Sequence, residues 1–260
     1  MAIIQSKTDL ENLRYSCRIL MSCFEHTGKL VKGGADCGEI NAFAINFMRK
    51  YGGEPSFLNY DGYKYGVCIS IDNEVAHGIA PFGKKIPDKS IVKLDMGVIY
   101  KGMFSDSCIT YVVGKVEPKI VEFVNNTKTA MMAGVNVVKA GARLGDIGSA
   151  VDSVAKEHGY GNVSALGGHG VGYEVHGAPF VANQGVKGKG ERLFENQVIC
   201  IEPMLTMGKG DVIFDNKKSD GWTVRTRDNS IVAQFEHEVL VTKKGFEILT
   251  QIDEKDILPL

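Results

Sequence analysis

Residues 91–108, IVKLDMGVIYKGMFSDSC, read as two apolar β-strands joined by a turn near Lys101. Each strand carries one aspartate, Asp95 in the first and Asp106 in the second, although strands are normally depleted of aspartate. A turn centred between Tyr100 and Lys101 would make the aspartates direct cross-strand neighbours, with Cβ atoms about 4.5–5.5 Å apart. Two bare carboxylates at that distance repel, and a divalent cation between them would remove the conflict. On the hairpin alone, strand-end aspartates satisfied by backbone N–H groups are an equally good interpretation.

The composition bounds the class of protein. Of 260 residues, 44% are hydrophobic and 23% are charged, which is ordinary for a soluble globular protein with a core. The net charge is −1 and neither sign forms a long run, so no nucleic-acid motif and no membrane surface is indicated. The six cysteines form no C-x-x-C pair, and neither a secretory signal nor a membrane span is found. We therefore expect a cytoplasmic protein with reduced thiols, and the lack of heptad repeats favours a monomer.

Helical periodicity and strand-like runs alternate along the chain. The order of two helices followed by several strands occurs twice, and the predicted helices cover residues 8–28, 36–51, 118–141 and 146–158. A capping box of Thr8 and Glu11 is expected to begin the first helix. This order predicts an α+β fold, with the helices gathered on one side of a mostly antiparallel sheet. We expect a single domain, residues 1–260, with halves of approximately 1–115 and 116–260.

Further polar residues lie in strand-like surroundings. Glu202 interrupts the apolar run VICIEPML, Glu236 interrupts AQFEHEVLV, and His169 lies among glycines in GGHGVG. With the two aspartates these side chains carry a formal charge of −4, which two divalent cations would cancel. An oxygen-rich set with one histidine suits manganese, iron, cobalt or zinc. Two such ions about 3.5–4 Å apart can share a hydroxide, which is a nucleophile at neutral pH. The sequence therefore predicts that these residues hold metal.

Several motifs in a fixed order give the chain a family resemblance. The Asp-x10-Asp pair, NEVAHGI, GHGVG, IEPM and AQFEHE together resemble the type I methionine aminopeptidases, and the resemblance covers nearly the whole chain. It implies the pita-bread fold, in which two pseudo-symmetric αβ halves enclose a dinuclear metal site. The family's metal ligands fall on the set that charge and strand pattern single out, namely Asp95, Asp106, His169, Glu202 and Glu236.

The resemblance also implies a reaction. The bridging ligands of two metal ions would be Asp106 and Glu236, the further ligand of one ion Asp95, and those of the other His169 and Glu202. The free amine of the substrate would bind a metal, which makes the enzyme an exopeptidase. It would remove the N-terminal methionine from peptides and nascent polypeptides, preferably before a small second residue. A metal-bridging hydroxide would attack the first carbonyl carbon, with Glu202 as the proton carrier.

Two further histidines match the family's non-ligand active-site histidines. His77 in NEVAHGI and His176 in YEVHGAP would steady the tetrahedral oxyanion or position the peptide. The family usually has glutamate directly after the second of these, whereas this chain has Gly177 in the order His-Gly-Ala-Pro. We therefore expect the orientation or the pKa of His176 to differ from that of the family.

A methionine side chain fits an aromatic-lined pocket, because its thioether packs well against rings. The positions that match the family's pocket are Tyr60, Tyr63, Cys68 and Trp222, with Phe57 and Val175 as further walls. Bacterial enzymes of the family commonly have phenylalanine in place of Val175, and often a smaller residue in place of Phe57. The departures leave the strictness for methionine open.

Two other functions compete with this prediction. An Xaa-Pro aminopeptidase or a creatinase-like hydrolase has the same fold but typically carries a large N-terminal domain. A non-catalytic binding protein on the same scaffold tends to lose metal ligands, and none of the five is missing here. The sequence does not identify the metal, and it leaves docking on ribosomes open.

Overall fold

The computed structural model describes residues 2–215 and 219–260. The helices in this part of the chain are α1 (Lys7–Gly28), α2 (Cys37–Lys50), α3 (Pro118–Val135) and α4 (Leu144–Glu157). The strands are β1 (Glu54–Pro55), β2 (Val67–Ile71), β3 (Glu74–Ala76), β4 (Ser90–Tyr100), β5 (Met103–Val113), β6 (Gly161–Asn162), β7 (Gly167–Gly170), β8 (Gly177–Ala182), β9 (Val198–Ile201), β10 (Met204–Thr206), β11 (Val212–Phe214), β12 (Val224–Thr226), β13 (Val232–Gln234), β14 (His237–Val241) and β15 (Phe246–Ile248). None of the helices in the described ranges is long and apolar enough to cross a membrane.

Side-chain caps determine where the first two helices begin. The hydroxyl of Ser6 accepts the backbone N–H of Asp9 at 3.1 Å, so α1 is capped by Ser6. The predicted capping box of Thr8 and Glu11 is therefore wrong, because both residues already lie inside the helix. The carboxylate of Asp36 caps α2, as its position before the apolar periodicity predicts.

The third helix ends at Val135, so the predicted end at Gly141 is wrong. The backbone N–H of Ala140 donates to the carbonyl of Thr242 at 3.1 Å, and that of Gly141 donates to Leu193 at 2.9 Å. These hydrogen bonds to distant segments take the place of the next helical turn. Tertiary pairing thus overrides the local helical periodicity at this point.

All strand pairs of the described chain are antiparallel, and they form four groups. In one group β4 lies between β1 and β2 and also pairs with β5, and in another the order is β15-β14-β9-β7-β8. Smaller groups have the orders β13-β10-β6 and β11-β12-β3. Two helices precede each large group along the chain, which confirms the predicted α+β class. The division near residue 115 stays a prediction.

The hairpin of β4 and β5 has a different register from the predicted one. Asp95 pairs with Cys108, and Asp106 pairs with Gly97, so the aspartates are diagonal rather than direct neighbours. The turn is centred between Lys101 and Gly102, which have φ angles of 48° and 80°. Two positive φ angles define the two-residue turn that matches the twist of a hairpin, and this turn sets the register.

The two large groups meet where β5 runs beside residues 232–241, and we call this contact the seam. A backbone bridge joins Cys108 to Glu236 there, and the Glu236 N–H donates to the Cys108 carbonyl at 2.9 Å. Elsewhere along the seam side chains replace ladder hydrogen bonds. The hydroxyl of Thr110 donates to the carbonyl of Gln234 at 2.5 Å and accepts the Gln234 N–H at 3.0 Å.

Each helix pair covers one large group of strands. Apolar side chains of α1 and α2 pack on alternate residues of β2 and β4, including Leu94 and Met96. Apolar side chains of α3 and α4 pack on alternate residues of β9 and β14, including Ile199 and Val239. Burial of these two clusters is the main stabilising contribution to the fold. The residues in between point to the opposite face of the strands, where polar side chains can gather.

Candidate active site

Strand alternation explains why the acidic side chains share a face. The even-numbered apolar residues of β4 face the helices, so Asp95 points to the opposite side of the sheet. Its cross-strand partner Cys108 is bridged in turn to Glu236 across the seam. Asp106 lies two residues from Cys108 on β5 and shares its face. One oxygen from each of these three acidic residues lies within 4.8 Å of the others.

Glu202 and His169 complete the group from neighbouring strands. Glu202 directly follows β9, and His169 lies on β7, the next strand in the same group. The Nε2 atom of His169 is 3.5 Å from Oε1 of Glu202 and 3.8 Å from Oδ2 of Asp106. The structure thus brings all five predicted metal ligands to one place.

Burial and mutual repulsion shape the electrostatics of this cluster. Burial raises the pKa of Asp95 and Glu202 well above the usual range of carboxyl groups, and the nearby Glu236 carboxylate raises both further. The pKa of Asp106 is raised in the same way, first by burial and then by Glu236 and Asp95. Burial raises the pKa of Glu236 to about 7. Among the described residues, no lysine or arginine lies within ion-pair distance of these carboxylates, and the imidazole of His169 is the one basic side chain beside them.

The donor set fits divalent cations. Oδ1 of Asp95, Oδ1 of Asp106 and Oε1 of Glu236 are buried and have no hydrogen-bond partner among the described residues. Buried polar atoms are almost always paired, so three orphaned carboxylate oxygens in one place indicate a missing cationic partner. Carboxylate oxygens with one imidazole are ligands that manganese, iron, cobalt and zinc accept.

Hydrogen bonds hold the remaining ligands in orientations that suit metal binding. The Nδ1–H of His169 donates to the carbonyl of Gly170 at 3.1 Å, which leaves the lone pair of Nε2 directed at Glu202 and Asp106. Burial lowers the pKa of His169 to about 4, so the ring is neutral at physiological pH. The amide nitrogen of Gln234 donates to Oε2 of Glu202 at 3.0 Å and fixes that carboxylate.

The two predicted non-ligand histidines lie beside the cluster. His77 follows β3 with a φ of 54°, a left-handed conformation that a histidine seldom adopts, and its ring lines the same cavity. Burial lowers the pKa of His77 to about 4. The ring of His176 lies 4.7 Å from the ring of His169 and 5.3 Å from that of Tyr60. Both histidines can therefore reach a molecule bound over the carboxylates.

A cavity of about 440 Å³ opens over the carboxylates. Five of the six predicted pocket residues line it, namely Phe57, Tyr60, Tyr63, Cys68 and Trp222. The rings of Tyr63 and Trp222 meet edge to face at 5.2 Å, and the Tyr63 hydroxyl donates to the Gly78 carbonyl at 2.9 Å. Val175 is buried in the same apolar cluster but is not among the residues that line the cavity.

The glycine that follows His176 lies beside Glu174. A Cβ atom on Gly177 would lie 2.8 Å from Oε1 of Glu174, the end of an exposed side chain. Burial lowers the pKa of His176, and the Asp61 carboxylate opposes that shift. An acidic group that lines the cavity therefore acts on His176.

Sequence reasoning missed several residues of the cavity. Gln234, Met204 and Asp61 line it, and Gln234 bonds directly to Glu202. The position of Gln234, two residues before Glu236 on an extended chain, is a signal that could have identified it, because such residues share a face. Asp61 lies in an irregular turn, and nothing in the local sequence indicates that its carboxylate faces a cavity.

The chain belongs to metallopeptidase family M24, whose profile matches residues 11–243. Within that family it is similar to methionine aminopeptidases. It is 38% identical over 252 residues to the methionine aminopeptidase of Rickettsia prowazekii, and the alignment covers 97% of this chain and 96% of that protein. The crystal structure of methionine aminopeptidase from Thermotoga maritima matches with a TM-score of 0.93 at 31% identity, over 97% of this chain and 100% of that chain.

A more distant structural match concerns the fold alone. The prolidase from Pyrococcus furiosus matches with a TM-score of 0.78 at 24% identity, and the match covers 97% of this chain but 66% of that one. Together with the closer matches it confirms the pita-bread fold that the sequence motifs predicted. The resemblance to the type I methionine aminopeptidases is likewise confirmed.

Proposed function

We propose that the chain is a metal-dependent methionine aminopeptidase, which removes the N-terminal methionine from peptides and nascent polypeptides and prefers a small second residue. The observation that carries this function is the convergence of five candidate ligand side chains in an aromatic cavity, three of which have an orphaned carboxylate oxygen. The extensive identity to methionine aminopeptidases favours this activity over the Xaa-Pro aminopeptidase and the non-catalytic alternatives.

The metal centre of the proposal holds two divalent ions of cobalt, manganese, iron or zinc. Asp95, Asp106, His169, Glu202 and Glu236 would hold them. The ions would supply Lewis-acid activation of the scissile carbonyl and lower the pKa of the attacking water. The orphaned oxygens of Asp95, Asp106 and Glu236 support this assignment.

The side chains of the protein supply the remaining steps. Glu202, which is fixed by Gln234, would take a proton from the attacking water and return one to the nitrogen of the leaving peptide. His77 and His176 would donate hydrogen bonds to the developing oxyanion or to the peptide backbone. The aromatic walls around Tyr63 and Trp222 would enclose the methionine side chain and exclude water from it.

The cellular setting is also part of the proposal. All six cysteines are free thiols, which suits a reducing cytoplasm. Nascent polypeptides would be the natural substrates there, because each begins with methionine. A monomeric state and docking on ribosomes stay predictions.

A comparison of peptides tests the function directly. With manganese or cobalt present, Met-Ala-Ser is expected to be cleaved after methionine with a kcat/KM at least ~100-fold above that for Ala-Pro-Ala, because the pocket is aromatic rather than shaped for a prolyl bond. Within a Met-X-Ser series from glycine to leucine, small X is expected to react fastest. Release of free amino acids, followed by liquid chromatography, gives both ratios. A preference for Ala-Pro-Ala would exclude the proposed function.

Trp222 is expected to set the affinity for the methionine side chain. Trp222→Ala removes an aromatic wall that meets Tyr63, so KM for Met-Ala-Ser should rise while kcat changes less. The expected loss in kcat/KM is about 10–200-fold, the range that apolar pocket contacts supply. The matched control is Phe82→Ala, since the Phe82 ring is 73% exposed and lies outside the cavity. Equal effects of the two substitutions would contradict the role of Trp222.

A further inference from the structure

Glu238 is a buried carboxylate that belongs to neither the ligand set nor the cavity wall. It lies on β14, two residues beyond Glu236, and its relative exposure is 0%. No cationic side chain of the described residues lies within ion-pair distance of it, and its Oε1 atom has no hydrogen-bond partner there. Burying an unpaired carboxylate is unfavourable, so packing alone does not explain a glutamate at this position.

The other carboxylate oxygen contacts the backbone of a metal ligand. Oε2 of Glu238 accepts the backbone N–H of Asp106 at 3.0 Å, across the seam. A backbone bridge at Cys108 and Glu236 pairs the two strands. Two residues earlier on β5, the backbone N–H of Asp106 donates to the Glu238 side chain instead of to a backbone carbonyl. Since Asp106 is only 2% exposed, its backbone N–H is shielded from bulk water, and loss of this acceptor would be costly.

The surroundings of Glu238 fix its own position. Its backbone N–H donates to the hydroxyl of Thr250 at 3.0 Å, and its backbone pairs with Cys200 on β9. The thiol of Cys17 on α1 interacts with its carboxylate. The residues below it form an apolar cluster that includes Leu13 and Leu240. The carboxylate therefore has little freedom, and it links β14 to the segment of β5 that carries Asp106.

We propose that Glu238 is a positioning residue of the metal centre, which holds the Asp106 backbone at the seam and thereby sets the placement of the Asp106 carboxylate. The proposal rests on the proposed function, in which Asp106 would be one of the side chains that hold the divalent ions. Mutation of a residue that hydrogen-bonds to a metal ligand typically lowers the metal affinity by 10–100-fold. Here the contact acts through the main chain of the ligand rather than through its side chain.

Three variants distinguish the positioning role of Glu238 from an effect of its charge and from a general effect on folding. Glu238→Met keeps an unbranched side chain of similar length and removes the acceptor for the Asp106 N–H. Glu238→Gln removes the charge but keeps an amide oxygen that can accept the same N–H. Thr127→Val is the matched control, because it deletes a buried side-chain hydrogen bond to the backbone of Phe123 on α3 and involves neither a metal ligand nor a residue that contacts one. Glu238→Ala replaces the methionine variant should that protein not fold.

The measurements are made on the whole chain, first free of metal and then titrated with Co²⁺. Calorimetry gives the dissociation constant of Co²⁺, visible absorption reports its coordination geometry, and thermal unfolding of the metal-free protein reports folding. Glu238→Met is expected to bind Co²⁺ ~10–100-fold more weakly with an altered spectrum. Glu238→Gln is expected to recover most of the affinity and the original spectrum. Thr127→Val is expected to bind Co²⁺ with the affinity and spectrum of the unaltered protein.

Two results would overturn the positioning role. One is a methionine variant, or the alanine variant in its place, that binds Co²⁺ with the affinity and spectrum of the unaltered protein. The other is an equal loss in the glutamine and methionine variants, since that would make charge rather than the hydrogen bond the decisive property. Failure of the proposed function is distinguishable from both, because the unaltered protein itself would then fail to bind Co²⁺ or to cleave Met-Ala-Ser.

Discussion

Replacement of Glu202 by glutamine is expected to lower kcat for Met-Ala-Ser by a factor of ~10²–10⁴, while the fold stays intact. In the proposed mechanism, Glu202 is the one metal ligand that also transfers a proton. An amide of the same size can still occupy the space beside His169, and its oxygen can still accept from Gln234. The amide cannot take a proton from water, so the rate of the chemical step should fall much more than the affinity for the substrate.

The measurement pairs steady-state kinetics with thermal unfolding. KM should change much less than kcat, because the contacts that enclose the methionine side chain are unaltered. The metal-free variant should unfold at the same temperature as the original protein or higher, since one of four clustered carboxylates is gone. Glu25→Gln is the matched control, because Glu25 forms an exposed pair with Lys29 on α1. Activity of Glu202→Gln within tenfold of the control would rule out the proton-carrier role.

The cluster of candidate metal ligands could be predicted from the sequence because its signal is local. A carboxylate in the middle of an apolar strand is costly unless something compensates it, and Asp95, Glu202 and Glu236 each stand out in this way. The class of fold could be predicted for a similar reason, because the order of helices and strands is also a local signal in the sequence. Neither inference required knowledge of which strands pair with which.

The register of the β4–β5 hairpin could not be predicted, because one residue in the turn decides it. Lys101 adopts a positive φ that this residue type seldom takes, and with Gly102 it forms the two central residues of the turn. The centre of the turn therefore moves by one residue and each cross-strand partner by two, so Asp95 pairs with Cys108 instead of Asp106. A shift by two residues keeps the aspartates on one face, so the error does not separate the acidic side chains.

Contacts between strands that are far apart in the sequence could not be predicted. The side chains of Gln234 and Glu238 meet partners at separations of 32 and 132 residues. A spacing of two residues from Glu236 places both on its face of the chain, but it does not identify their partners. The partners follow only from the tertiary pairing of the strands.

Removal of divalent metal with a chelator is expected to abolish hydrolysis of Met-Ala-Ser, and manganese, cobalt or iron is expected to restore it. Metal binding should also stabilise the fold, because the cations would compensate four buried carboxylates, Asp95, Asp106, Glu202 and Glu236. At a metal concentration one hundred times the dissociation constant, the gain is about 2.7 kcal/mol. For a chain of this length that corresponds to a rise of roughly 5–10 °C in the unfolding temperature.

The stability of the metal-free protein should fall as pH rises between about pH 6.5 and 7.5. Burial raises the pKa of Glu236 to about 7, and burial with neighbouring charges raises the pKa of Asp95 and Glu202, so the folded chain keeps protons that the unfolded chain has lost. A folded state that binds more protons is destabilised by increasing pH. The histidines whose pKa burial lowers to about 4 act in the opposite sense, but chiefly below about pH 6.5.

The stabilisation by metal should consequently be larger at pH 7.5 than at pH 6.5. At the higher pH the ligands are less protonated and bind metal more tightly, and the metal-free protein is less stable. Thermal unfolding at both pH values, with chelator and with Mn²⁺, measures this difference. Asp95→Asn is the informative comparison, because it removes one ligand oxygen and one of the repelling charges together. It should raise the unfolding temperature of the metal-free protein and shrink the shift that Mn²⁺ causes. An unaltered shift in this variant would mean that the cations bind elsewhere on the chain.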